Sequence, residues 1–354
     1  MRFDLDDEQR AIKQAVHDLS AARYDAAAAN RRDSTRTDEF WPELSAAGWT
    51  ALSVPERWGG QGAGVLELSL VVEELGYALA PATFFGNAAA GLLVAASQHE
   101  EHRQRWLPGI ASGERRAAFG QVQRDGAGLA LDAEGAAIAV LAFDGDALVV
   151  DPVPAGLEVA DGIDLTRRVH RIAPRAAEPL HVGQPHAVDC VEILIAAELV
   201  GVAQHAMEMA VEFAKQRQQF GRPIGAYQAV SHRCADMLVL VESARSAVLS
   251  AAWTADHEPS GLPFAASVAK VAAVNAAWHV AASALQVHGG MGFTWEHPIH
   301  LFLRRASASS RLLGSADQHL DRVAGLTGLG GSDHRTAEAA LPAATDGAAA
   351  MSRH

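Results

Sequence analysis

Apolar residues recur at helical spacing through the N-terminal part of the chain. Ile12, Val16 and Leu19 would lie on one face of a helix, and Asp6 and Asp7 suit its first turn. Glycine-rich and proline-containing stretches separate this segment from further periodic segments. We predict helices over residues 6–29, 39–47, 65–79 and 84–96.

The same spacing returns after residue 187 and continues over most of the remaining chain. Long periodic segments are separated by short connections rich in Gly and Pro, such as 259–263 and 289–298. Their many Ala residues allow helices to approach closely, as they do in a bundle. We predict four helices, over 188–219, 229–255, 263–288 and 298–326.

Between these helical parts the pattern changes to short apolar or alternating runs. The runs AAFGQVQ, AAIAVLAF and ALVVDPVP are separated by Gly, Asp and Pro, which predicts β-strands. This part ends near residue 185 and is short. A complete barrel or sandwich is therefore not expected unless another chain covers the edges of the sheet.

The patterns together predict a mainly α fold with a small β-domain. We expect an N-terminal helical domain over 1–112, a shortened central β-domain over 113–186 and a C-terminal four-helix bundle over 187–328. Residues 329–354 have no sustained apolar face, so we predict that this tail is disordered.

Composition and charge narrow the class of protein. Of the 354 residues, 49% are hydrophobic and only 6% aromatic, which favours Ala, Leu and Val between close helices over the aromatic layers of a β-sandwich. The formal net charge of -13 argues against a broad basic surface for nucleic acid, while one local basic pocket stays possible.

The two cysteines, Cys190 and Cys234, are not arranged as a CxxC or Cys/His metal frame, so neither a disulfide nor a metal site is predicted. The N-terminus lacks a basic region followed by an apolar run, and we find no apolar stretch of about 20 residues. We therefore expect a cytoplasmic protein without a membrane span.

The segment EFAKQRQQFGRPIGAYQAV, over 212–230, ends one long helix and begins the next. Gly221 can adopt a positive φ, and Pro223 cannot continue the helix. The basic residue Arg217 would then complement the helix dipole. Alternatively, Arg217, Gln219 and Phe220 form a platform for an anionic, partly aromatic ligand, because guanidinium groups bind phosphate in a forked geometry. The pattern alone leaves both interpretations open.

The glycine-rich loop over 59–64 opens a helix and could in principle cradle phosphate. It lacks the GxxxxGK[ST] pattern and follows no predicted strand, so we do not expect phosphate there. In the following helix, Glu73 and Glu74 are predicted to lie on the solvated side.

Three segments together resemble the acyl-CoA dehydrogenase family. They are VPERWGGQGAGVLELSLVVEELGYA over 54–78, RQQFGRPIGAYQAVSHRCADM over 217–237 and QVHGGMGFTWEHPIHLFLRR over 286–305. They occur in the order found in that family, whose architecture is an N-terminal helical domain, a central β-domain and a C-terminal four-helix bundle.

The resemblance implies an acyl-CoA substrate and FAD as cofactor. In the family, a carboxylate removes an α-proton, the β-hydrogen leaves as hydride to the flavin, and hydrogen bonds polarise the thioester carbonyl. The RxxFG and QxxGG segments of one subunit reach the FAD of its neighbour. The residues that match those segments are Arg217, Phe220, Gln286, Gly289 and Gly290.

The chain departs from the family where the catalytic base is expected. The segment that often carries the glutamate reads RLLGS here, and Leu313, at the base position, cannot accept a proton. Some relatives place a glutamate before an arginine at the start of the first bundle helix. The matching residues here are Val191 and Glu192, so Glu192 is one position, about 100° around a helix, out of place. We expect Glu192 to point elsewhere, as a partner of the helix dipole, and we assign no catalytic residue.

The flavin-binding segments of the family's central domain are also not recognisable in this chain. Our main hypothesis is therefore one subunit of a heteromeric acyl-CoA dehydrogenase, whose homologous partner supplies the flavin pocket and the glutamate. The resemblance is to the degenerate subunits of bacterial enzymes of this kind, some of which act on steroid-CoA thioesters. The alternatives are a homo-oligomeric dehydrogenase that uses Glu192 and a catalytically silent acyl-CoA-binding or scaffolding subunit. Met291, Phe293 and Trp295 are expected to pack in the core, so they give no indication of substrate size.

Overall fold

A computed structural model describes residues 4–23, 41–143, 145–174, 177–183 and 186–329 of the protein. The first helix begins at Asp7, whose acidic side chain suits a helix N-terminus, and is described as far as Arg23. The rest of the predicted helix over 6–29 and nearly all of the predicted tail lie outside the described residues. The N-terminal helices are α1 (Asp7–Arg23), α2 (Trp41–Ala46), α3 (Val65–Tyr77), α4 (Thr83–Ala95) and α5 (Glu100–Ser112).

The short apolar runs form one seven-stranded sheet with the order β5-β6-β2-β1-β3-β4-β7. Strand β1 runs parallel to β3, and the other pairs are antiparallel. The sheet is open, and both edge strands have only two residues, which limits pairing with other chains. The strands are β1 (Ala117–Val122), β2 (Gly128–Leu131), β3 (Ile138–Phe143), β4 (Asp146–Val150), β5 (Val159–Ala160), β6 (Val169–Ile172) and β7 (Glu178–Pro179).

Alternating side chains of the sheet enter two different cores. Phe119 on one face packs edge-on against Phe85 of α4, with the ring centroids 5.9 Å apart. Ala118 and Leu141 belong to a smaller separate cluster of buried residues. The face that carries Phe119 is therefore continuous with the helical core.

The C-terminal helices confirm the predicted fold class, with one correction. The helix predicted over 298–326 is two helices, because Leu313 and Gly314 have positive φ angles of 55° and 104° and end the helical path. A two-stranded hairpin, β8 (Gln218–Gln219) and β9 (Arg222–Pro223), follows the first bundle helix. The bundle helices are α6 (Ala187–Gln216), α7 (Gln228–His257), α8 (Leu262–His288), α9 (Ile299–Ser309) and α10 (Ala316–Leu326). The domain boundaries stay a prediction.

Helices α3 and α6 approach each other through glycines. A Cβ atom at Gly201 would lie 1.9 Å from the Glu73 carbonyl oxygen, and one at Gly76 would lie 2.3 Å from the Glu198 carbonyl oxygen. The prediction that Glu73 and Glu74 face solvent is wrong, since both are buried where α1, α3 and α7 meet. Lys13 lies 2.7 Å from the Glu73 carboxylate and 3.4 Å from that of Glu74, which explains how the buried charges are tolerated.

A second buried ionic network joins the loop before β6 to the bundle. Arg305 of α9 is fully buried, and its guanidinium lies 2.6 Å from Asp164 and 3.1 Å from Glu198 of α6. Arg167 contacts the same two carboxylates, each at 3.1 Å. These arginines hold the pKa values of Asp164 and Glu198 below their usual range, although burial alone would raise them.

One helical segment, Pro259–Phe293, is long and apolar enough to cross a membrane by length and composition, which the sequence analysis did not anticipate. Half of its apolar window is buried inside the protein, where α8 packs in the bundle. An Ala-rich core helix reaches the same hydropathy, so the segment is weak evidence for a membrane span.

Candidate functional site at the end of the helix bundle

The hairpin after α6 presents an exposed aromatic ring on a strained turn. Phe220 and Gly221 have positive φ angles of 51° and 79°, as the central residues of a tight hairpin require. Gly221 adopts this conformation freely, whereas for a residue with a bulky side chain, such as Phe220, the left-handed conformation costs about 1–2 kcal/mol of free energy. Phe220 is nevertheless 93% exposed, so neither core packing nor turn preference accounts for it. Strain of this kind is concentrated at functional sites.

Arg217 lies at the base of this hairpin. Its backbone N–H donates to the Phe213 carbonyl as the cap of α6, and its carbonyl accepts from the Ile224 N–H at 2.8 Å. Its side chain is exposed, and no carboxylate in the described part of the chain pairs with it. The backbone of Arg217 therefore caps the helix, while its exposed guanidinium leaves both predicted roles, dipole partner and ligand contact, as predictions.

The end of α8 is also uncovered. Gly289 ends the helix with a φ of 59°, a conformation that suits glycine. No heavy atom lies within 4 Å of a Cβ built at Gly289 or Gly290, and Gln286 one turn earlier is exposed. The backbone of this turn can be approached closely from outside.

Stacked rings bring the two helix ends together. The Phe213 ring of α6 stacks on His288 of α8 with centroids 4.5 Å apart, and His288 contacts His297 at 4.4 Å. The five residues matched to the family segments therefore lie at the same end of the bundle. Near them, Met291, Phe293 and Trp295 are 42%, 75% and 55% exposed, so the prediction that these residues pack in the core is wrong.

The chemistry of this surface, which we call the bundle end, fits one end of FAD. Pyrophosphate is bound by guanidinium groups and by closely approached backbone, and an adenine ring stacks on aromatic side chains. The bundle end offers the Arg217 guanidinium, the uncovered backbone of Gly289 and Gly290, and the Phe220 ring.

The RLLGS turn lies between α9 and α10 and is held by side chains from three elements. Lys270 of α8 donates from Nζ to the Leu312 carbonyl. His319 of α10 lies with Nε2 3.0 Å from the Leu313 carbonyl oxygen, and the Leu313 N–H donates to Oε1 of Gln121 in β1 at 2.9 Å. The turn is therefore fixed by its backbone, while Leu313 itself provides no acid or base.

Beneath the turn lies a buried charge cluster formed by Asp189, Glu192, Lys270, His319 and Arg322. Nη1 of Arg322 lies 2.6 Å from Asp189 and 3.2 Å from Glu192. Burial, and then the charge of Asp189, raise the pKa of Glu192 to about 7, and burial lowers the pKa of Lys270 to about 8. Burial, followed by the charge of Lys270, lowers the pKa of His319 to about 4, so this imidazole is neutral and donates from Nε2 to Leu313.

Glu192 was expected to be a partner of the helix dipole, but it lies beyond the first turn of α6 and its carboxylate pairs with Arg322 of α10 at 3.2 Å. It is only 5% exposed and lies beside the groups that hold the RLLGS turn. Val191, at the position where some relatives have the base, is fully buried. The Glu192 carboxylate is thus held by Arg322 from another helix, with His319 at 3.9 Å.

The glycine-rich loop before α3 has its own internal ligand. The carboxylate of Asp256, at the end of α7, accepts from the backbone N–H groups of Val65 and Leu66 at 2.8 and 3.1 Å. A phosphate at this helix N-terminus would have to displace that carboxylate. No group of three or more His, Cys, Asp or Glu side chains within the described ranges is arranged to hold a metal ion.

The sequence analysis missed Gln121, Lys270, His319 and Arg322. Lys270 could have been noticed, because it is the one charge in the apolar stretch FAASVAKVAAV and therefore needs a buried partner. The other three side chains are ordinary surface types in their own segments. Their roles depend on contacts between residues far apart in the chain.

Family comparisons agree with the fold and with the segments at the bundle end. Residues 6–114 match the N-terminal domain of acyl-CoA dehydrogenases, and residues 192–325 match their C-terminal domain. Acyl-CoA dehydrogenase IpdE2 of Mycobacterium tuberculosis (strain ATCC 25618 / H37Rv) is 34% identical over 321 residues, covering 90% of this chain and 96% of that protein. The chain therefore belongs to the acyl-CoA dehydrogenase family. This family comprises oxidoreductases that act on acyl-CoA, and the assignment supports FAD as the cofactor.

Two solved structures are also similar to this chain. The ChsE4-ChsE5 complex from Mycobacterium tuberculosis matches with a TM-score of 0.81 and 25% identity, over 93% of this chain and 99% of that one. The Tcur3481-Tcur3483 steroid acyl-CoA dehydrogenase variant matches with a TM-score of 0.80 and 26% identity, over 91% of this chain and 98% of that one.

Proposed function

We propose that this chain is one subunit of a heteromeric, FAD-dependent acyl-CoA dehydrogenase that acts on an acyl-CoA or steroid-CoA thioester. The observation that carries the proposal is Leu313 at the base position, in a turn that is otherwise fully held. A chain without that base needs a glutamate from elsewhere, and a homologous partner with the complete site supplies it.

This chain contributes cofactor contacts in trans through Arg217, Phe220, Gln286, Gly289 and Gly290. When bound, FAD accepts the hydride that leaves the β-carbon of the substrate. The guanidinium of Arg217 neutralises phosphate charge, the ring of Phe220 offers a stacking face, and the glycines allow backbone N–H groups to approach the ligand. All five residues belong to a surface that the described residues of this chain leave uncovered.

Two of the similar structures support an assembly of unlike subunits. One is described as a complex of ChsE4 with ChsE5, and the other names two proteins together and a steroid substrate class. We extend this arrangement to the present chain because its own base position is lost while its bundle end has the matched residues.

The test is to purify this chain alone and together with an acyl-CoA dehydrogenase encoded beside it, and to measure bound flavin and dehydrogenation. The complex should hold flavin and turn over, and the chain alone should do neither. Arg217→Ala in the complex removes charge-assisted hydrogen bonds worth about 1.5–3 kcal/mol, so flavin affinity should fall about 10- to 100-fold.

Lys215→Ala is the matched control, because Lys215 is an exposed cation of the same helix that already pairs with Glu212 at 3.8 Å. It should leave flavin affinity within about twofold, since exposed pairs contribute little. Full flavin occupancy and turnover by the chain alone would disprove the heteromer. Equal effects of the two substitutions would disprove the trans contact of Arg217.

A second candidate is a homo-oligomeric dehydrogenase that uses Glu192. The observation in its favour is a buried carboxyl with a pKa of about 7 beside the RLLGS turn, since a base works best with a pKa near the operating pH. This function requires turnover by the chain alone and its abolition by Glu192→Gln. The silent scaffolding alternative requires complex formation in which Arg217 and Gln286 have no effect on activity.

A further inference from the structure

The side chain of Gln121 joins the sheet to the RLLGS turn. Gln121 lies in β1, and its Oε1 accepts the Leu313 N–H at 2.9 Å, although the two residues are 192 positions apart in sequence. The contact crosses from the central sheet to the connection between α9 and α10.

A hydrogen bond to the preceding carbonyl fixes the direction of the Leu313 N–H. Lys270 donates to the Leu312 carbonyl, which therefore points into the buried charge cluster. In a trans peptide the carbonyl and the following N–H point in opposite directions, so the Leu313 N–H points away from the cluster. His319 holds the next carbonyl, that of Leu313, at 3.0 Å.

Leu313 adopts an unfavourable backbone conformation in this turn. Leu313 has a φ of 55°, which is costly for a γ-branched side chain and would be free of cost for glycine. Three side chains hold this strained backbone although Leu313 has no acid or base, so the groups kept in place include the Leu313 backbone donor.

A donor at this position has a clear chemical use. The proton removed in an α,β-dehydrogenation is on the carbon next to the thioester carbonyl, so a base at position 313 and a donor to that carbonyl must lie within a few ångströms of each other. The Leu313 N–H satisfies this requirement, and the amide oxygen of Gln121 is an sp² acceptor of the same kind as a thioester oxygen.

We propose that Gln121 closes the acyl site of this chain from within, by occupying with its amide oxygen the backbone donor that a thioester carbonyl would use. The inference rests on the proposed function insofar as it takes acyl-CoA as the ligand class. A chain closed in this way would leave acyl binding to the partner while its own bundle end contributes to the partner's cofactor site. Displacing an internal hydrogen bond weakens a competing ligand about tenfold.

The test compares Gln121→Ala with Gln123→Ala in the purified chain. Gln123 is a matched control because it is the same residue type two positions further along, just after β1 ends, and its own backbone N–H pairs with the Ala127 carbonyl at 2.7 Å. Binding of acetyl-CoA, octanoyl-CoA and free CoA is measured by titration calorimetry. The measured quantity is the ratio of the affinity for a thioester to the affinity for free CoA. In Gln121→Ala this ratio should rise about tenfold above the wild-type value for at least one thioester, and in Gln123→Ala it should not change.

Hydrogen exchange at the Leu313 amide gives a readout independent of the choice of acyl chain. The amide should exchange at least about tenfold faster in Gln121→Ala than in the wild type or in the control variant. Unchanged exchange, or thioester-to-CoA ratios within about twofold of wild type for both probes, would overturn the proposal. Failure of the Arg217 flavin test would leave these two results unaffected, so the two proposals fail separately.

Discussion

Glu192→Gln separates the electrostatic role of this buried carboxyl from a catalytic one. Glutamine has the shape of the protonated acid and no charge at any pH. Because burial and Asp189 raise the pKa of Glu192 to about 7 from 4.5, ionising this residue is costly in the folded protein. The substitution should therefore remove a destabilising charge at alkaline pH.

The size of the effect follows from linkage. A raised pKa in the folded state gives stability that is fully present below the unfolded value near 4.5 and is lost as the pH rises through about 7. At about 1.4 kcal/mol per pKa unit, the upper bound on the loss is about 3 kcal/mol. The attraction to Lys270 and Arg322 is already included in this raised pKa, and because Arg322 is partly exposed, solvent screening reduces the expected gain to about 1–2 kcal/mol at pH 8.

The assay is urea unfolding of wild type and Glu192→Gln at pH 8 and pH 4.5, followed by circular dichroism. The variant should be more stable at pH 8, and the difference should nearly vanish at pH 4.5. A variant less stable than wild type at pH 8 would show that pairing with Arg322 and Lys270 outweighs desolvation, which would refute this reasoning. Turnover by the chain alone that survives Glu192→Gln would exclude Glu192 as the base.

Two further predictions concern the packing that positions the site. Arg305→Met should cost about 3–5 kcal/mol in urea unfolding at pH 7, because it leaves buried carboxylates without their full compensation, and the deficit should shrink in acid as they become protonated. The neighbouring Arg304→Met, whose guanidinium lies 5.4 Å over the Trp295 ring, should cost less than about 1 kcal/mol, and similar losses for both would contradict the network. Gly201→Ala should lower the free energy of unfolding by about 1–3 kcal/mol, because its Cβ would lie 1.9 Å from a carbonyl oxygen of α3. The same urea unfolding experiment measures this loss. Gly91→Ala, whose Cβ would lie at an ordinary 3.5 Å from Ile110, should be neutral or stabilising, so a Gly201 variant that behaves like it would contradict the close crossing.

Local patterns were sufficient to predict the order and type of most elements. Helical periodicity and the Gly and Pro connections located the bundle, and alternation located the strands. The helix end near Arg217 was predicted because its determinants, Gly221 and Pro223, are adjacent in sequence. The break at Leu313 was missed, because a leucine in a left-handed conformation gives no local signal.

The site was less predictable because its contacts join distant residues. Whether Glu73 faces solvent depends on Lys13, and whether Glu192 is exposed depends on Arg322, 130 positions away. A periodic pattern records the mean polarity of a helix face, and it does not show that a buried acidic residue pairs with a cation from a distant segment.

The absence of a base at position 313 and the fixed backbone of the RLLGS turn are compatible once the surrounding charges are considered. A glutamate at position 313 would add a negative charge to a turn that Lys270 and His319 join to the buried charge cluster, where the pKa of Glu192 is already raised to about 7. Within the described part of the chain, Lys270 and Arg322 are the cations of this cluster, and both already serve other acceptors. A further negative charge near the cluster would disfavour ionisation of Glu192 still more. Leucine avoids that cost, while Lys270, His319 and Gln121 keep the backbone of the turn in place. The contacts that hold this turn are thus made by its backbone and do not depend on an acid at position 313.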